Sequence, residues 1–217
     1  MPAPHRLLIA TGNAGKIREL RTLLNDARWQ LVTPADAGVA DLEVIEDGDS
    51  FRANAAKKAR AYANASRLPA LADDSGLEVD ALGGAPGVRS ARYAGDSATD
   101  AENRAMLLAA LDGLPTEERG ARFRAVVALS FPYGPNVRFG EGTVEGRIAA
   151  NERGDNGFGY DPIFELADGR RMAELTSDEK NAISHRGQAV RDIAWALESL
   201  TAALPHDPHT DAGGRDD

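Results

Sequence analysis

A chain of 217 residues with 42% hydrophobic content is long enough to bury a substantial core, as one domain or as one domain with a small lobe. It has no cysteine, which excludes disulfides and thiolate metal sites and fits a cytoplasmic address. The formal net charge of −9 argues against a broad nucleic-acid surface, and no run approaches the ~18 apolar residues of a membrane span. The first residues, Met1 to Arg6, lack the apolar core of a signal peptide.

Arg6 to Ala10 (RLLIA) is an apolar run that predicts a central strand. The glycine-rich loop Thr11, Gly12, Asn13, Ala14, Gly15, Lys16 follows it. Ile17, Leu20, Leu23 and Leu24 then recur at helical spacing, with Lys16, Arg18, Glu19 and Arg21 on the polar face. Strand, glycine-rich loop and helix form the layout that holds phosphate on backbone N–H groups, and equally an ordinary strand-to-helix turn. A Walker loop is excluded, because Ala10 and Ile17 stand where it requires Gly and Ser or Thr.

Trp29 to Thr33 predicts a second strand, ended by Pro34. The acidic stretch 35–49, which contains Glu46, reads as solvated loop. Ser50 caps an alanine-dense helix to about Ser66, with Phe51, Ala55, Ala59 and Tyr62 on its apolar stripe. Asn54 and Lys58 share another face, a pattern usual for exposed residues.

Pro69 to Ala72 reads as a short buried strand that stops at Asp73-Asp74-Ser75-Gly76. Paired acids followed by a flexible residue suit either a turn or a hard cation such as Mg²⁺. Leu77-Glu78-Val79 predicts a further brief strand, and residues 80–95 a long loop of the kind that often carries function. Thr99 and Glu102 form a capping box for a helix to about Leu111, with Ala105, Met106, Ala109 and Ala110 as its apolar positions. Ala121 to Phe131 and Val137 to Ile148 predict a long antiparallel hairpin, in which Gly140, Gly142 and Gly146 permit bends or bulges.

Phe158-Gly159-Tyr160-Asp161 places aromatics beside flexible backbone, which suits base stacking or a core position at a strand start. Thr176 and Glu179 cap a short helix bearing Lys180, and His185-Arg186-Gly187 is expected to break it. His185 and Arg186 at a break are directional donors for a carbonyl or phosphate, or a solvent-facing pair. A last helix over 188–204 is expected to bury Val190, Ile193, Ala194, Leu197 and Leu200. From Pro205 the chain has no core-forming pattern. The segment from His206 carries four Asp against one Arg and reads as a disordered acidic tail.

Five separated stretches, in order, resemble one family: ATGNAGKIREL (10–20), EDGDSFRANAAKKA (46–59), LADDSGLEVDALGGAPGVRSARYAG (71–95), GFGYDPIF (157–164) and AELTSDEKNAISHRGQA (173–189). The chain resembles the inosine triphosphate pyrophosphatases, which remove deaminated purine nucleoside triphosphates. The resemblance implies an elongated α/β fold with a mixed central sheet, a smaller second lobe and a nucleotide cleft between them. It places residues 1–204 in one two-lobed domain and leaves 205–217 as tail. It further implies a homodimer, dependence on Mg²⁺, and cleavage of dITP, ITP and XTP to the monophosphate and pyrophosphate.

By the same resemblance Asp74 is the catalytic acid–base residue and a metal ligand, with Glu46 a second ligand and Asp73 close by. Thr11 to Lys16 and Lys58 hold the triphosphate, and Ser75 contacts the nucleotide. Phe158, Gly159, Tyr160, Asp161, Lys180, His185 and Arg186 form the base pocket. The competing expectations are a hydrolase of the same fold acting on other nucleotides, such as modified pyrimidines, and a non-catalytic nucleotide sensor. The sensor is disfavoured by the presence of Glu46, Asp73 and Asp74 together.

Overall fold

A computed structural model describes residues 4–203. The elements run β1 (His5–Ile9), α1 (Ala14–Leu23), β2 (Trp29–Val32), α2 (Phe51–Ser66), β3 (Ala70–Val79), α3 (Asp100–Ala110), β4 (Gly120–Ser130), β5 (Val137–Ile148), β6 (Phe164–Glu165), α4 (Ser177–Ile183) and α5 (His185–Ala203). The strands form one six-stranded mixed sheet in the order β2-β1-β3-β4-β5-β6. β1 is parallel to both β2 and β3, and the pairs from β3 through β6 are antiparallel.

The apolar patterns account for the layers. β1 and the first half of β3 are buried on both faces, as their continuous apolar runs require. One face packs Leu7, Ile9, Leu71, Val127 and Leu129 against α1 and α5. The other packs Leu8, Ala70, Ala72, Val126 and Ala128 against the alanines of α2. A separate cluster forms where β3, β4 and β5 extend past these helices. There Leu77, Phe123 and Ile148 meet Leu107 of α3 and the 160–175 segment, which builds the second lobe.

Three local expectations are corrected. The acidic tetrapeptide is not a turn between two short strands. It lies inside one ten-residue strand, β3, and every residue from Ala70 to Val79 pairs with β4 in a constant register. The ladder satisfies the backbone, and cations from distant segments balance the carboxylates, so nothing forces the chain to turn. The glycines of β5 make no bulge, because the β4–β5 register is also constant from Gly120↔Arg147 to Ser130↔Val137. Instead a Cβ at Gly142 would strike the His185 carbonyl, and one at Gly140 would lie 2.8 Å from Ile193. Glycine here lets the backbone of α5 lie directly on the strand.

The third correction concerns the helix break, which falls at Ser184. Ser184 ends α4 and caps α5, accepting from Gly187 N–H at 3.1 Å, so His185 and Arg186 open α5 rather than interrupt a helix.

One helix buries more than its expected face and another buries a different one. α2 buries Asn54 and Lys58 along with Phe51, Ala55 and Ala59. α3 buries Asn103 and Leu107 and leaves Met106 exposed, because the Asn103 amide holds Ala91 O and Ala94 N–H of the 80–95 loop. That loop is built on two 3₁₀ segments, and a third 3₁₀ turn precedes β6. The readings of a buried Leu200 side chain and a disordered tail fall outside the described residues.

Candidate active site

A cleft of about 310 Å³ opens between the two lobes, a size within the usual range for small-ligand pockets. Of the residues singled out from the sequence, all but Ala14, Gly15 and Asp73 line it.

At one end lies the loop between β1 and α1. Asn13 caps α1 by accepting from Lys16 N–H at 3.0 Å, and the Thr11 hydroxyl accepts from Asn13 N–H at 3.2 Å. The first N–H groups of a helix have no partner within it, so this end of the cleft suits an anion. Gly15 is where the helix meets the 158–161 loop: a Cβ there would sit 2.6 Å from the Phe158 ring.

Asp73 and Asp74 are neighbours on a strand and therefore face opposite sides of the sheet. Asp74 faces α2. Its Oδ1 accepts from Lys58 Nζ at 3.3 Å, and the same ammonium donates to Glu46 Oε2 at 3.0 Å and to the Asp73 carbonyl at 2.9 Å. Lys58 thus bridges the Glu46 and Asp74 carboxylates, while Asp74 Oδ2 has no partner. Burial pushes the Asp74 carboxyl up to about 6, against the opposing pull of Lys58 and Lys16. For Glu46 burial is outweighed by Lys58, which holds that carboxyl below its ordinary value.

Asp73 faces α1 and α5. Its Oδ2 accepts from Lys16 Nζ at 2.7 Å, Ser75 Oγ at 2.9 Å and Arg186 Nη2 at 3.2 Å. Although burial opposes its charged form, Arg186 and Lys16 hold it well below the usual carboxylate range. Burial lowers Lys16, and Asp73 only partly restores it.

The other end of the cleft is built from the starts of α4 and α5 and the 158–161 loop. Lys180 is buried, bridging Glu19 Oε1 at 2.7 Å and Asp161 Oδ2. Arg186 is 1% exposed and reaches Glu19 Oε2, Asp73 and the Ser75 hydroxyl, the last at 2.8 Å. The Phe158 ring lies 5.0 Å from Lys180 Nζ and 5.6 Å from the Arg186 guanidinium. His185 stacks on Phe123 at 4.9 Å. Burial, reinforced by Arg186, holds its imidazole neutral, and Nδ1 has no partner. Arg186 and His185 are thus buried donors rather than a solvent-facing pair.

The sequence reading missed several contributors. Glu19, placed on the polar face of α1, is turned inward as the shared counter-ion of Lys180 and Arg186. Its position three residues after Lys16, on the same helix face, was the available signal. The peptide of Gly159 is gripped from α3: Asp100 accepts its N–H at 2.7 Å, and Arg104 donates to its carbonyl at 2.8 Å. Arg92 donates to the Glu46 carbonyl at 3.1 Å, and the Tyr160 hydroxyl to the Ser90 carbonyl at 2.8 Å. No motif marked Asp100 or Arg104, and the contacts of Arg92 and Tyr160, which do lie in the recognised stretches, join segments far apart in sequence.

Among the described residues no group of three or more His, Cys, Asp or Glu converges as a metal cage. Glu46 and Asp74 converge as a pair, and Asp74 keeps a buried oxygen free. Mg²⁺ is commonly held by one or two carboxylates plus substrate phosphates, so this donor set fits that ion.

The family model that matches residues 7–195 is that of the Ham1 family. The chain belongs to the Ham1 family. Among its relatives are a dITP/XTP pyrophosphatase of Methylococcus capsulatus, 50% identical over 90% of this chain and 98% of its own, and one of Anaeromyxobacter dehalogenans, 48% identical over 89% and 97%. The solved structure of a Ham1 protein from Coxiella burnetii superposes with a TM-score of 0.80 at 44% identity, covering 90% of this chain and 99% of that one. Ham1 membership accounts for the mixed sheet with its second lobe.

Proposed function

We propose that this chain hydrolyses deaminated purine nucleoside triphosphates (dITP, ITP and XTP) to the monophosphate and pyrophosphate. The reading rests on one observation. A chain about half identical to named dITP/XTP pyrophosphatases brings a carboxyl poised near neutrality, two lysines and a helix start to one end of a cleft, and buried donors to the other.

In this reading Lys16, Lys58 and the N–H groups of the 11–16 loop hold the phosphate chain. Asp74 accepts a proton from the attacking water as its oxygen bonds the α-phosphorus, and the bond to the bridging oxygen breaks with pyrophosphate leaving. Glu46 and Asp74 would hold Mg²⁺, which when bound neutralises phosphate charge. Asp73, expected beside them, faces the other side of the sheet and acts as a counter-ion.

At the base end a 6-oxo group meets donors from Lys180, His185 or Arg186, whereas adenine would set donor against donor. Buried unpaired donors make such rejection strong. Phe158 adds stacking of about 1–3 kcal/mol with little discrimination. We read residues 1–204 as one two-lobed unit that works as a cytoplasmic homodimer, a state that light scattering on the purified protein tests. A nucleotide sensor would have no use for a carboxyl held near neutrality at the phosphate end.

The test is incubation with Mg²⁺ and, separately, ITP, XTP, GTP and ATP, with products read by ³¹P NMR. Pyrophosphate from ITP and XTP, with GTP and ATP nearly untouched, is the expected result. Orthophosphate and a diphosphate would overturn the reading.

A further inference from the structure

Asp73 lies outside the cleft lining, yet it joins the two ends of the cleft. Its buried Oδ2 is held by Lys16, from the phosphate-facing loop, at 2.7 Å and by Arg186, from the base-facing end, at 3.2 Å. Among the described residues it is the carboxylate that contacts both cations. Ser75 completes the set, donating to Asp73 at 2.9 Å and accepting from Arg186 at 2.8 Å. Nothing in the proposed hydrolysis requires this arrangement: Asp73 faces away from Asp74, and its other oxygen has no partner.

We propose that Asp73 couples the phosphate chain to base selection, by sharing one negative charge between Lys16 and Arg186. The inference rests on the proposed reading of the cleft as a nucleoside triphosphate site. With no ligand, the carboxylate divides its attraction between the two cations. A phosphate chain in the 11–16 loop draws the Lys16 ammonium toward itself. Asp73 is then left to Arg186, and the guanidinium, which already contacts Asp73, Ser75 and Glu19, is held more tightly. A tightly held donor rejects a base that presents a donor more strongly than a looser one does, because a looser one can turn aside. Full discrimination between hypoxanthine and adenine therefore requires the phosphates. Linkage makes the effect reciprocal: the correct base also strengthens the hold on the chain.

The test compares ratios of binding constants, with Mg²⁺ present throughout. Wild-type protein is titrated with inosine and adenosine, and with the α,β-imido analogues of ITP and ATP, by NMR or calorimetry. The hypoxanthine-to-adenine preference is expected to be about tenfold larger for the triphosphates, within the roughly 5–150-fold range of coupling between sites. Asp73→Asn should bring the two preferences together. Because that variant removes the carboxylate from Lys16 and leaves buried Arg186 with Glu19 alone, and could fail to fold, Lys16→Met serves as a second arm. It removes the competitor for Asp73 while leaving Arg186 its partner. The preference for inosine over adenosine should rise toward the wild-type triphosphate value, although neither nucleoside carries a phosphate. Wild-type protein that releases pyrophosphate from ITP but shows equal preferences, or Lys16→Met with an unchanged nucleoside preference, overturns the coupling and leaves the hydrolysis standing. Wild-type protein that does not turn over ITP overturns both.

Discussion

Replacing Asp74 with Asn should stabilise the metal-free protein at alkaline pH while abolishing its activity. The carboxyl is 6% exposed, and burial pushes it up to about 6, whereas an unfolded Asp titrates near 3.9. The folded state thus binds this proton more tightly than the unfolded state. Below about pH 4 both states are protonated and the group imposes no penalty. Between about pH 4 and pH 6 the unfolded chain ionises first, and stability falls as pH rises. Above about pH 6 the full difference of roughly two pH units is lost, about 3 kcal/mol.

Asn has nearly the same shape, cannot ionise, and can still accept from Lys58. Urea denaturation in EDTA should show Asp74→Asn and wild type of similar stability at pH 4, and the variant more stable by about 3 kcal/mol at pH 8. For a chain of this size that corresponds to a rise of roughly 6–12 °C in melting temperature. Other carboxyls titrate alike in both proteins and cancel. A stability difference that does not change between pH 4 and pH 8 would refute the reasoning, since Lys58 would then fully compensate the buried charge.

The same carboxyl must be ionised to take a proton from water, so kcat/KM for ITP should fall about tenfold per pH unit as pH drops below about 6, as a pH–rate profile would show. EDTA should abolish ITP turnover and Mg²⁺ restore it; Mg²⁺ should also raise the melting temperature of wild type but not of Glu46→Gln, as differential scanning fluorimetry would reveal. Arg104→Ala frees the Gly159 carbonyl and loosens the loop that carries Phe158. Steady-state kinetics should show KM for ITP raised about tenfold with kcat little changed, given the 1–3 kcal/mol at stake in stacking. Gly142→Ala forces a methyl against the His185 carbonyl and should lower stability by roughly 1–3 kcal/mol in chemical denaturation.

Local signals carried much of the architecture. Ser50, Thr99 and Thr176 each cap the helix their side chains announce, and the apolar runs of β1 and β4 are interior strands of the sheet. Errors arose where a distant partner reverses a local preference. Asp73 and Asp74 look like turn residues because an isolated strand cannot bury two charges. β3 can, because Lys58 stands fifteen and sixteen residues away and Arg186 reaches in from α5. Asn54 and Lys58 look exposed by composition and are buried because the 46–48 segment folds over them, with Glu46 on Lys58 and Gly48 on Asn54. The inward turn of Glu19 was hidden in the same way, since its partners lie more than a hundred residues further along the chain.

The glycines of β5 bear on how rigid base reading can be. With no side chains at Gly140 and Gly142, the first turns of α5 rest on a hydrogen-bonded ladder instead of on a cushion of rotatable groups. The backbone of His185 and Arg186 therefore takes its coordinates from a fully paired strand, while Phe158 takes its own from a loop held by α3. Amide exchange should register that asymmetry, with the opening of α5 as slow as the central strands and the aromatic loop much faster. The sheet thus sets where the base-reading side chains are rooted, and the loop sets when the aromatic closes on them.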